Sequence, residues 1–291
     1  MFKGSNTALI TPFKNGAFDE QAFQHLVVRQ VEAGTHGLVP TGTTGEAPTL
    51  SEAEHQRAIE LCVEAAGKVP VIAGCGTNST EKTIARSKQA EKGGASGLLI
   101  VTPYYNRPSQ EGLYLHFKAV AGTTGLPILI YNIPGRTAVD MKVEIMARLK
   151  ETCANIIGVK DASGGVDRVK ETTRLLGADF IQLCGDDILA LEFNKLGGVG
   201  CISVTSNIAP KICADFQNHC LSGDFAAAEK IHRQLEPLNK GLVVETNPVP
   251  VKYAVSLLGL CQADVRLPLA PLSEASKQTV EQALKKANLE F

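Results

Sequence analysis

The sequence predicts an α/β fold, a (β/α)8 TIM barrel followed by a C-terminal helical extension. Eight short apolar runs alternate along the 291-residue chain with amphipathic segments of helical period. Each run is apolar throughout rather than alternating, which is typical of strands in a parallel sheet that is covered on both faces. A doubly wound open sheet is the alternative. It would more often show a GxGxxG turn after its first strand, and the chain has none there.

The predicted strands are bounded by glycine, proline and polar residues. They span residues 7–12, 37–40, 70–74, 97–102, 127–132, 156–161, 180–184 and 200–204. Asp19 is predicted to cap a first helix that runs to about Glu32, and Ser51 with Glu54 matches a capping box for the second helix. Further helices are expected at about 80–92, 110–122, 143–149, 166–176 and 188–196, and residues 133–137 are expected to form a loop.

The remainder of the chain predicts helices only. They are expected at about 209–220, 226–238, 249–258 and 273–287. One helix is enough to complete a barrel of eight units, so the others form an extension. We therefore divide the chain into a barrel catalytic domain, residues 1–208, and a C-terminal helical region, residues 209–291.

Composition and charge argue against several classes of function. Hydrophobic residues make up 44% of the chain and charged residues 20%, which is ordinary for a globular enzyme. The formal net charge of -1 creates no overall field that would attract nucleic acid or an anionic membrane. No apolar segment is long enough to cross a bilayer. We therefore expect neither nucleic acid nor membrane as a partner.

The number and spacing of the cysteines and histidines indicate the cellular compartment and whether the chain binds a metal. The eight cysteines include no CxxC pair, and several lie in apolar runs, where a free cysteine behaves as a small hydrophobe. A disulfide framework or a structural zinc site is therefore not expected, and the reducing cytoplasm is the predicted location. The six histidines show no metal-ligand spacing, so no metal is predicted. The first residues also lack the charged-then-apolar order of a signal peptide.

Polar side chains collect where the predicted strands end. In a barrel of this kind the active site lies at the carboxyl ends of the strands. The residues expected at that rim are Thr43, Thr44, Tyr104, Tyr105, Tyr131, Arg136, Lys160, Gly185, Ile202 and Ser203. One tyrosine at a strand end is more often a packing residue than a catalytic one. Several hydroxyls with one lysine and one arginine on the same rim favour a binding site.

Lys160 ends the sixth strand, and lysine is almost never fully buried unless it is paired. If its amine points into a dry cavity, desolvation disfavours the ammonium form and leaves a nucleophile for a carbonyl substrate. The alternative is a lysine that has left the sheet and entered a solvated turn. Tyr131 favours the catalytic interpretation, because it ends the preceding strand and can donate and accept protons. Arg136 provides a fork-shaped donor suited to a carboxylate.

Seven segments can be compared with known families: GTTGE at 42–46, VTPYY at 101–105, YNIPGRT at 131–137, IIGVK at 156–160, GDD at 185–187, ISVT at 202–205 and NPVPVK at 247–252. In combination, these segments closely resemble the dihydrodipicolinate synthase family of class I, pyruvate-dependent aldolases. The resemblance implies that Lys160 forms a Schiff base with pyruvate. The enamine then attacks L-aspartate 4-semialdehyde, and the adduct cyclises to the precursor of diaminopimelate and lysine. No cofactor is implied beyond this covalent adduct with the substrate.

The resemblance also implies roles for individual residues. Tyr131, Thr43 and Tyr105 match the family's proton relay, and Tyr105 is usually donated across a tight dimer interface. Thr44 and the backbone at Ile202 match the positions that hold pyruvate.

Two further positions match substrate-binding residues, and the family suggests an assembly. Arg136 matches the residue that meets the carboxylate of the semialdehyde, and Gly185 falls in another matching segment. Family members are commonly homotetramers built as dimers of dimers. We therefore expect pyruvate, the semialdehyde and further copies of the chain as partners.

Two alternatives remain open. A sibling aldolase that acts on N-acetylneuraminate or on a keto-deoxy sugar acid would share the barrel, the lysine and Tyr131. The loop with Arg136 favours a small carboxylated aldehyde instead. A non-catalytic protein that binds keto acids would keep the pocket but would not need Lys160 together with Tyr131.

A possible allosteric lysine site is implied by resemblance to lysine-inhibited family members. Tyr104, Asn78 and His55 match that site, although His55 is also compatible with a solvated helix face. Glu52 and Lys82 depart from the pattern, and a cation at Lys82 should repel the ammonium group of lysine. We therefore expect lysine inhibition to be weak or absent.

Lys252 is a second lysine in a matching segment. It lies on a predicted helix, and we expect it to have a structural role.

Overall fold

The computed structural model describes residues 1–289. Its strands are β1 (Gly4–Ala8), β2 (Phe13–Lys14), β3 (Ala17–Phe18), β4 (Gly37–Val39), β5 (Ile72–Gly74), β6 (Gly97–Val101), β7 (Ile128–Asn132), β8 (Ile156–Asp161), β9 (Ile181–Cys184) and β10 (Gly200–Ser203). Eight of these form one parallel sheet in the order β4-β1-β10-β9-β8-β7-β6-β5. A parallel bridge between Leu38 and Val71 joins its two ends. The sheet is thereby closed, which confirms the predicted (β/α)8 barrel.

Twelve α-helices are described within residues 1–289. They are α1 (Glu20–Glu32), α2 (Glu52–Ala66), α3 (Thr80–Lys92), α4 (Gln110–Ala121), α5 (Pro134–Thr137), α6 (Val143–Thr152), α7 (Arg168–Leu176), α8 (Ala190–Lys195), α9 (Pro210–Ser222), α10 (Phe225–Gly241), α11 (Val249–Leu257) and α12 (Glu274–Lys286). The predicted caps are present. Asp19 accepts a hydrogen bond from the backbone of Ala22 at 3.1 Å, and Ser51 and Glu54 form a reciprocal capping box.

The interior of the barrel is filled by apolar side chains. They are Phe2, Ala8, Val39, Ile72, Leu99, Leu129, Tyr131, Ile181, Leu183 and Ile202. Because side chains alternate along a strand, the residues between them face the surrounding helices and form a second apolar layer. A packed interior of this kind supports the rim on which the polar residues lie.

The C-terminal helices pack as an extension of the barrel. Helix α9 lies against β1 and β10, α10 packs against α9 and α12, and α11 packs against α12. The predicted helical extension is therefore present. The division of the chain at residue 208 stays a prediction, and residues 290 and 291 of the predicted C-terminal region lie outside the described residues.

Three local predictions were wrong or incomplete. The first strand lies at Gly4–Ala8 rather than at 7–12, because its pairing with β10 begins where Gly4 meets Gly200. The short hairpin of β2 and β3 was not predicted, although Asn15 and Gly16 between them form the favoured dipeptide for a tight hairpin turn. Both have positive φ, 53° and 79°.

The predicted loop 133–137 contains the single helical turn α5. Proline at its first position suits a helix start, because the missing N–H would have no partner there. This turn carries Arg136. Within residues 1–289, no helix is both long and apolar enough to span a membrane.

Candidate active site

A cavity of about 230 Å³ lies where the barrel strands end. Its wall is formed by Thr41, Gly42, Thr43, Ala47, Pro48, Gly74, Gly76, Arg86, Leu99, Val101, Tyr104, Tyr131, Ile133, Arg136 and Thr137. Four of the predicted rim residues therefore lie on the wall: Thr43, Tyr104, Tyr131 and Arg136. A cavity bounded by apolar strand ends and a few converging polar groups is the usual form of a small-molecule site.

Lys160 lies beside this wall, in the strand next to Tyr131. The two residues are direct partners in the pairing of β7 with β8. Lys160 is 6% exposed, and its Nζ lies 4.1 Å from the centroid of the Tyr131 ring. Among the described residues, none forms a hydrogen bond or an ion pair with this amine. The solvated-turn alternative is therefore wrong, and the amine is buried without a counter-ion.

Gly185 provides the space that the side chain of Lys160 occupies. A Cβ built at Gly185 would lie 2.7 Å from the Cβ of Ala162 and 3.1 Å from Cε of Lys160. Real Cβ atoms essentially never approach other atoms as closely as the first distance. Ile202 lies in the adjacent strand β10, buried in the same interior cluster as Tyr131. Gly185 therefore borders the lysine, and neither Gly185 nor Ile202 lies on the cavity wall.

Thr44 and Arg136 are connected by a residue that the sequence analysis did not single out as a site residue. The side-chain amide of Asn247 donates to Oγ1 of Thr44 at 2.9 Å, and its backbone carbonyl accepts from Arg136 at 3.2 Å. Arg136 also lies 3.4 Å from the hydroxyl of Thr246. Because Oγ1 of Thr44 accepts the hydrogen bond from Asn247, the hydroxyl hydrogen of Thr44 can be donated to another acceptor.

The segment NPVPVK did carry the signal for Asn247 as a family match. What the sequence did not indicate was its contact with Thr44. The two residues are 203 positions apart.

Charged residues outside the barrel hold the ends of β7 and β8. Asp140 accepts hydrogen bonds from Asn132 at 2.8 Å and from Arg168 at 2.5 Å. Arg168 also lies 4.0 Å from the carboxylate of Asp161, the residue after Lys160. Asn132 and Asp161 are themselves partners in the sheet. This network fixes the register in which Tyr131 and Lys160 stand side by side.

Tyr105 is not brought to the cavity of its own chain. Its side chain is 89% exposed, and its backbone has a φ of 71°. The neighbouring Asn106 donates to the backbone carbonyl of Asn78 at 2.8 Å, which ties this segment to the loop before α3. The loop therefore holds a large aromatic side chain away from the protein surface.

The three residues of the predicted allosteric site are found in different settings. Tyr104 lies on the cavity wall, and Asn78 is half-buried. His55 is fully buried, and its Nε2 lies 2.8 Å from the carbonyl oxygen of Gly74. The solvated helix face considered for His55 was therefore wrong. Burial, with a smaller contribution from Arg86, lowers the pKa of His55 to about 4.

Arg86 is a further cavity residue that the sequence analysis missed. Its Nε and Nη2 donate to the two carboxylate oxygens of Glu52, at 3.0 and 2.7 Å. This hydrogen bonding is the main reason why the pKa of Glu52 lies below its ordinary value. Arg86 lies on the third helix of the barrel, where nothing in the helical pattern separates it from an ordinary surface arginine.

Within residues 1–289, no three His, Cys, Asp or Glu side chains come together in a way that could hold a metal ion. All eight cysteines are free, and seven of them are buried.

Comparisons with known proteins agree with one another. The family model described as the Dihydrodipicolinate synthetase family matches residues 1–287. The 4-hydroxy-tetrahydrodipicolinate synthase of Afipia carboxidovorans is 56% identical over 289 residues, covering 99% of this chain and 97% of that protein.

Two solved structures are similar over nearly the whole chain. Dihydrodipicolinate synthase from Thermotoga maritima has a TM-score of 0.97 and 44% identity, and the match covers 100% of both chains. The enzyme from Cyanidioschyzon merolae with lysine bound has a TM-score of 0.96 and 38% identity, and the match covers 99% of both chains. Given the closed barrel, the buried Lys160 beside Tyr131 and a family match across the chain, this protein belongs to the dihydrodipicolinate synthetase family.

Proposed function

We propose that this protein condenses pyruvate with L-aspartate 4-semialdehyde to give 4-hydroxy-tetrahydrodipicolinate, on the route to diaminopimelate and lysine. The observation that carries the proposal is the buried, unpaired amine of Lys160 beside Tyr131, next to the cavity. Membership of the family and the names of the similar proteins support the same reaction.

The chemistry begins at Lys160. Its amine attacks the keto carbon of pyruvate, and loss of water leaves a Schiff base that acts as an electron sink. Removal of a methyl proton gives an enamine, whose carbon bonds to the aldehyde carbon of the semialdehyde. The amino group of the semialdehyde then attacks the carbon of the imine, which closes the ring and releases Lys160. The protein needs no cofactor for these steps, because the covalent adduct supplies the activation.

Proton transfer is assigned to three hydroxyl groups. The ring of Tyr131 lies 4.1 Å from Nζ of Lys160, and its hydroxyl is assigned to the atoms that gain and lose protons during imine formation. Thr43 lies on the same cavity wall, and Tyr105 of a second copy completes the relay. Positioned groups of this kind contribute to rate by general acid–base catalysis, by about 10² to 10⁴.

Substrate carboxylates are assigned to the surrounding donors. The free hydroxyl hydrogen of Thr44 and the backbone near Ile202 hold the carboxylate of pyruvate. Gly185 borders the adduct. Arg136, at the mouth of the cavity, binds the carboxylate of the semialdehyde through its planar fork.

A second copy of the chain is part of the proposed active unit. The side chain of Tyr105 is exposed and does not lie on the wall of its own cavity, yet its loop is tied down by the contact between Asn106 and Asn78. A tightly held, exposed tyrosine suits insertion into a neighbouring subunit, because aromatic anchors are favoured in interfaces. We propose a tight dimer, and a tetramer as a dimer of such dimers.

Lysine is proposed to be a poor inhibitor of this protein. A similar enzyme has been solved with lysine bound, and Tyr104, Asn78 and His55 would belong to the corresponding site. In this chain Lys82 is exposed nearby, and Arg86 already occupies the carboxylate of Glu52. These two cations disfavour a ligand with an ammonium group.

The cytoplasmic location and the absence of a metal stay predictions.

Trapping of the pyruvate adduct tests the central step. With pyruvate and borohydride, the protein is expected to gain the mass of one reduced pyruvate per chain, located at Lys160 by peptide mass analysis. Lys160→Ala and Lys160→Arg should remain folded by circular dichroism and gain no mass. An adduct of undiminished yield on Lys160→Ala would contradict the assignment.

Substrate choice is tested by a coupled assay. The protein should consume pyruvate when aspartate semialdehyde is present, and it should not release pyruvate from N-acetylneuraminate. Cleavage of the sugar acid at a comparable rate would favour the sibling aldolase instead. Adduct formation without turnover of any aldehyde would favour a keto-acid-binding protein.

A further inference from the structure

The loop that carries Thr43 and Thr44 contains two non-glycine residues with left-handed backbone conformation. Thr41 has a φ of 55° and Glu46 a φ of 53°. Residues other than glycine persist in this region only where their surroundings hold them there. Thr41 is held inside the barrel, since its hydroxyl lies within hydrogen-bonding distance of the carbonyl oxygens of Pro40 and Gly74, at 2.7 and 3.0 Å. Glu46 is held from outside the barrel.

The carboxylate of Glu46 is held by the C-terminal region. One oxygen accepts from Nζ of Lys252 at 2.5 Å, and the other accepts from the backbone N–H of Arg266 at 3.0 Å. Glu46 is 2% exposed and Lys252 is fully buried. The amine of Lys252 also donates to the carbonyl oxygen of Asp264 at 2.7 Å and lies 4.0 Å from the ring centroid of Phe13.

Arg266 extends the contact to the end of the same loop. Its guanidinium forms a two-pronged pair with Glu54, at 2.8 and 2.6 Å, and Nη1 donates to the carbonyl oxygen of Thr49 at 3.1 Å. Its Nη2 donates to the carbonyl oxygen of Gly16 in the hairpin. We call Glu46, Lys252 and Arg266 the C-terminal clamp.

A contribution to folding stability does not by itself account for the buried ion pair of Glu46 and Lys252. Replacing a buried ion pair by apolar side chains of similar volume is often neutral or stabilising, whereas removal of one partner is strongly destabilising. In some proteins, however, a buried polar or ionic group is retained because it selects one geometry among several compact ones. Glu46 lies two residues after Thr44, so fixing its carboxylate and its unusual φ fixes the direction of the loop backbone at Thr44.

We propose that the C-terminal clamp positions Thr43 and Thr44 for the substrate keto acid, so that Glu46 and Lys252 are positioning residues of the reaction. The proposal rests on the proposed function, in which Thr44 holds the carboxylate of pyruvate. It assigns the C-terminal helices a part in substrate binding, beyond their packing against the barrel. The contact between Asn247 and Thr44 acts on the same loop from the same region.

The test replaces both partners, so that no buried charge is left unpaired. The full-length double variant Glu46→Gln/Lys252→Met is compared with wild type and with Glu236→Gln/Lys240→Met, which removes an exposed pair on α10. In the clamp variant, the KM for pyruvate and the pyruvate concentration for half-maximal borohydride trapping should both rise about tenfold, since small misplacements of binding groups have effects of this size or larger. The kcat at saturating pyruvate should change less, and the control variant should match wild type.

The outcomes separate the clamp from the proposed function. If wild type traps no pyruvate on Lys160, the proposed function fails. If wild type traps pyruvate and the folded clamp variant has an unchanged KM, the clamp is only structural and the proposal is overturned.

If the double variant does not fold, Arg266→Lys provides the second measurement. It keeps the positive charge but loses the fork that binds Glu54. Its KM for pyruvate should rise about threefold with little change in kcat, because the loop loses part of its support. An unchanged KM in Arg266→Lys would likewise overturn the proposal.

Discussion

Two backbone facts place the amine of Lys160 at the ring of Tyr131. The residues are direct partners in neighbouring parallel strands, and alternation turns both side chains to the same side of the sheet. Their strand ends are held by Asp140 and Arg168 outside the barrel. The lysine then needs room, and Gly185, directly after the neighbouring strand β9, provides it because it has no side chain.

Gly185→Ala is expected to reduce kcat/KM for pyruvate by about ten- to hundredfold. The new Cβ would overlap Ala162 and press on Cε of Lys160, and a displacement of about 1 Å at a reacting group has effects of this size. Steady-state kinetics and borohydride trapping measure the loss. Gly165→Ala is the matched control, because a Cβ at that position would meet nothing within 4 Å. Equal activity of the two variants would show that the space at Gly185 is not required.

Lys82→Glu addresses the proposed lack of lysine inhibition. Wild type should keep its activity in millimolar lysine, because the positive charge of Lys82 disfavours an ammonium group bound close to it. The variant should become measurably more sensitive to lysine in the coupled assay. Lys88→Glu, on the same helix and also exposed, controls for the change in net charge. Strong inhibition of wild type by millimolar lysine would contradict the expectation.

At the scale of elements, the connection from β4 to α2 joins the proposed substrate-binding residues to the C-terminal region. It contains Thr43 and Thr44, includes two residues in left-handed conformation, Thr41 and Glu46, and leads into a capping box. Glu54, the third residue of the helix in this capping box, has a second role as the partner of Arg266. The start of α2 is thereby joined to the C-terminal region.

The pair of Glu54 and Arg266 predicts a dependence of stability on pH. Hydrogen bonding from Arg266 lowers the pKa of Glu54 from 4.5 to about 2. A carboxyl group with a lowered pKa in the folded state contributes stability that is complete above about pH 4.5 and is lost as the pH falls towards 2. Glu54→Gln should therefore lower Tm at pH 7, and the difference from wild type should shrink at pH 3.

Thermal unfolding at the two pH values measures this effect. Glu274→Gln is the control, since that glutamate pairs with Lys277 at the surface and is largely exposed. An exposed pair contributes little to stability, so the control should follow wild type at both pH values. A difference between Glu54→Gln and wild type that stays constant from pH 7 to pH 3 would rule out the ion pair as its cause.

At the scale of the whole molecule, one chain contains an incomplete form of the proposed site. Lys160, Tyr131, Thr43 and Arg136 are at or beside the cavity, while Tyr105 extends from the surface. A closed two-fold dimer would place each Tyr105 at the cavity of its partner in a reciprocal manner. Activity would then depend on assembly.

Mixing of inactive subunits tests this dependence. Lys160→Ala and Tyr105→Phe should each have low activity as separate proteins. After joint unfolding and refolding, about half of the dimers should be mixed, and each of these should contain one complete site and one lacking both groups. Activity should therefore recover to about a quarter of wild type. Recovery that does not exceed the average of the two separate variants would show that Tyr105 acts within its own chain or not at all.

The sequence by itself determined the order and type of the barrel elements, because apolar period, caps and turn residues are local signals. The capping box at Ser51 and Glu54 and the strand that carries Lys160 are examples, and both were predicted correctly. The family motifs likewise selected Thr43, Tyr131 and Arg136, which the cavity brings together. The start of the first strand was misplaced because it depends on the pairing of Gly4 with Gly200, and no local pattern contains that information.

Only the tertiary structure decided which distant residues support the site. Asn247 and Thr44 are 203 positions apart, and Lys252 and Glu46 are 206 apart. His55 is another residue whose environment the sequence did not predict. Its position on α2 was compatible with either a solvent-exposed or a buried side chain. Contacts between residues so far apart in sequence depend on how the C-terminal helices pack against the barrel. The free energy of that packing comes from many residues, so no short segment of sequence predicts the contacts. The sequence determined that Lys160 stands at a rim, and the folded chain decided that it stands there buried, unpaired and beside Tyr131.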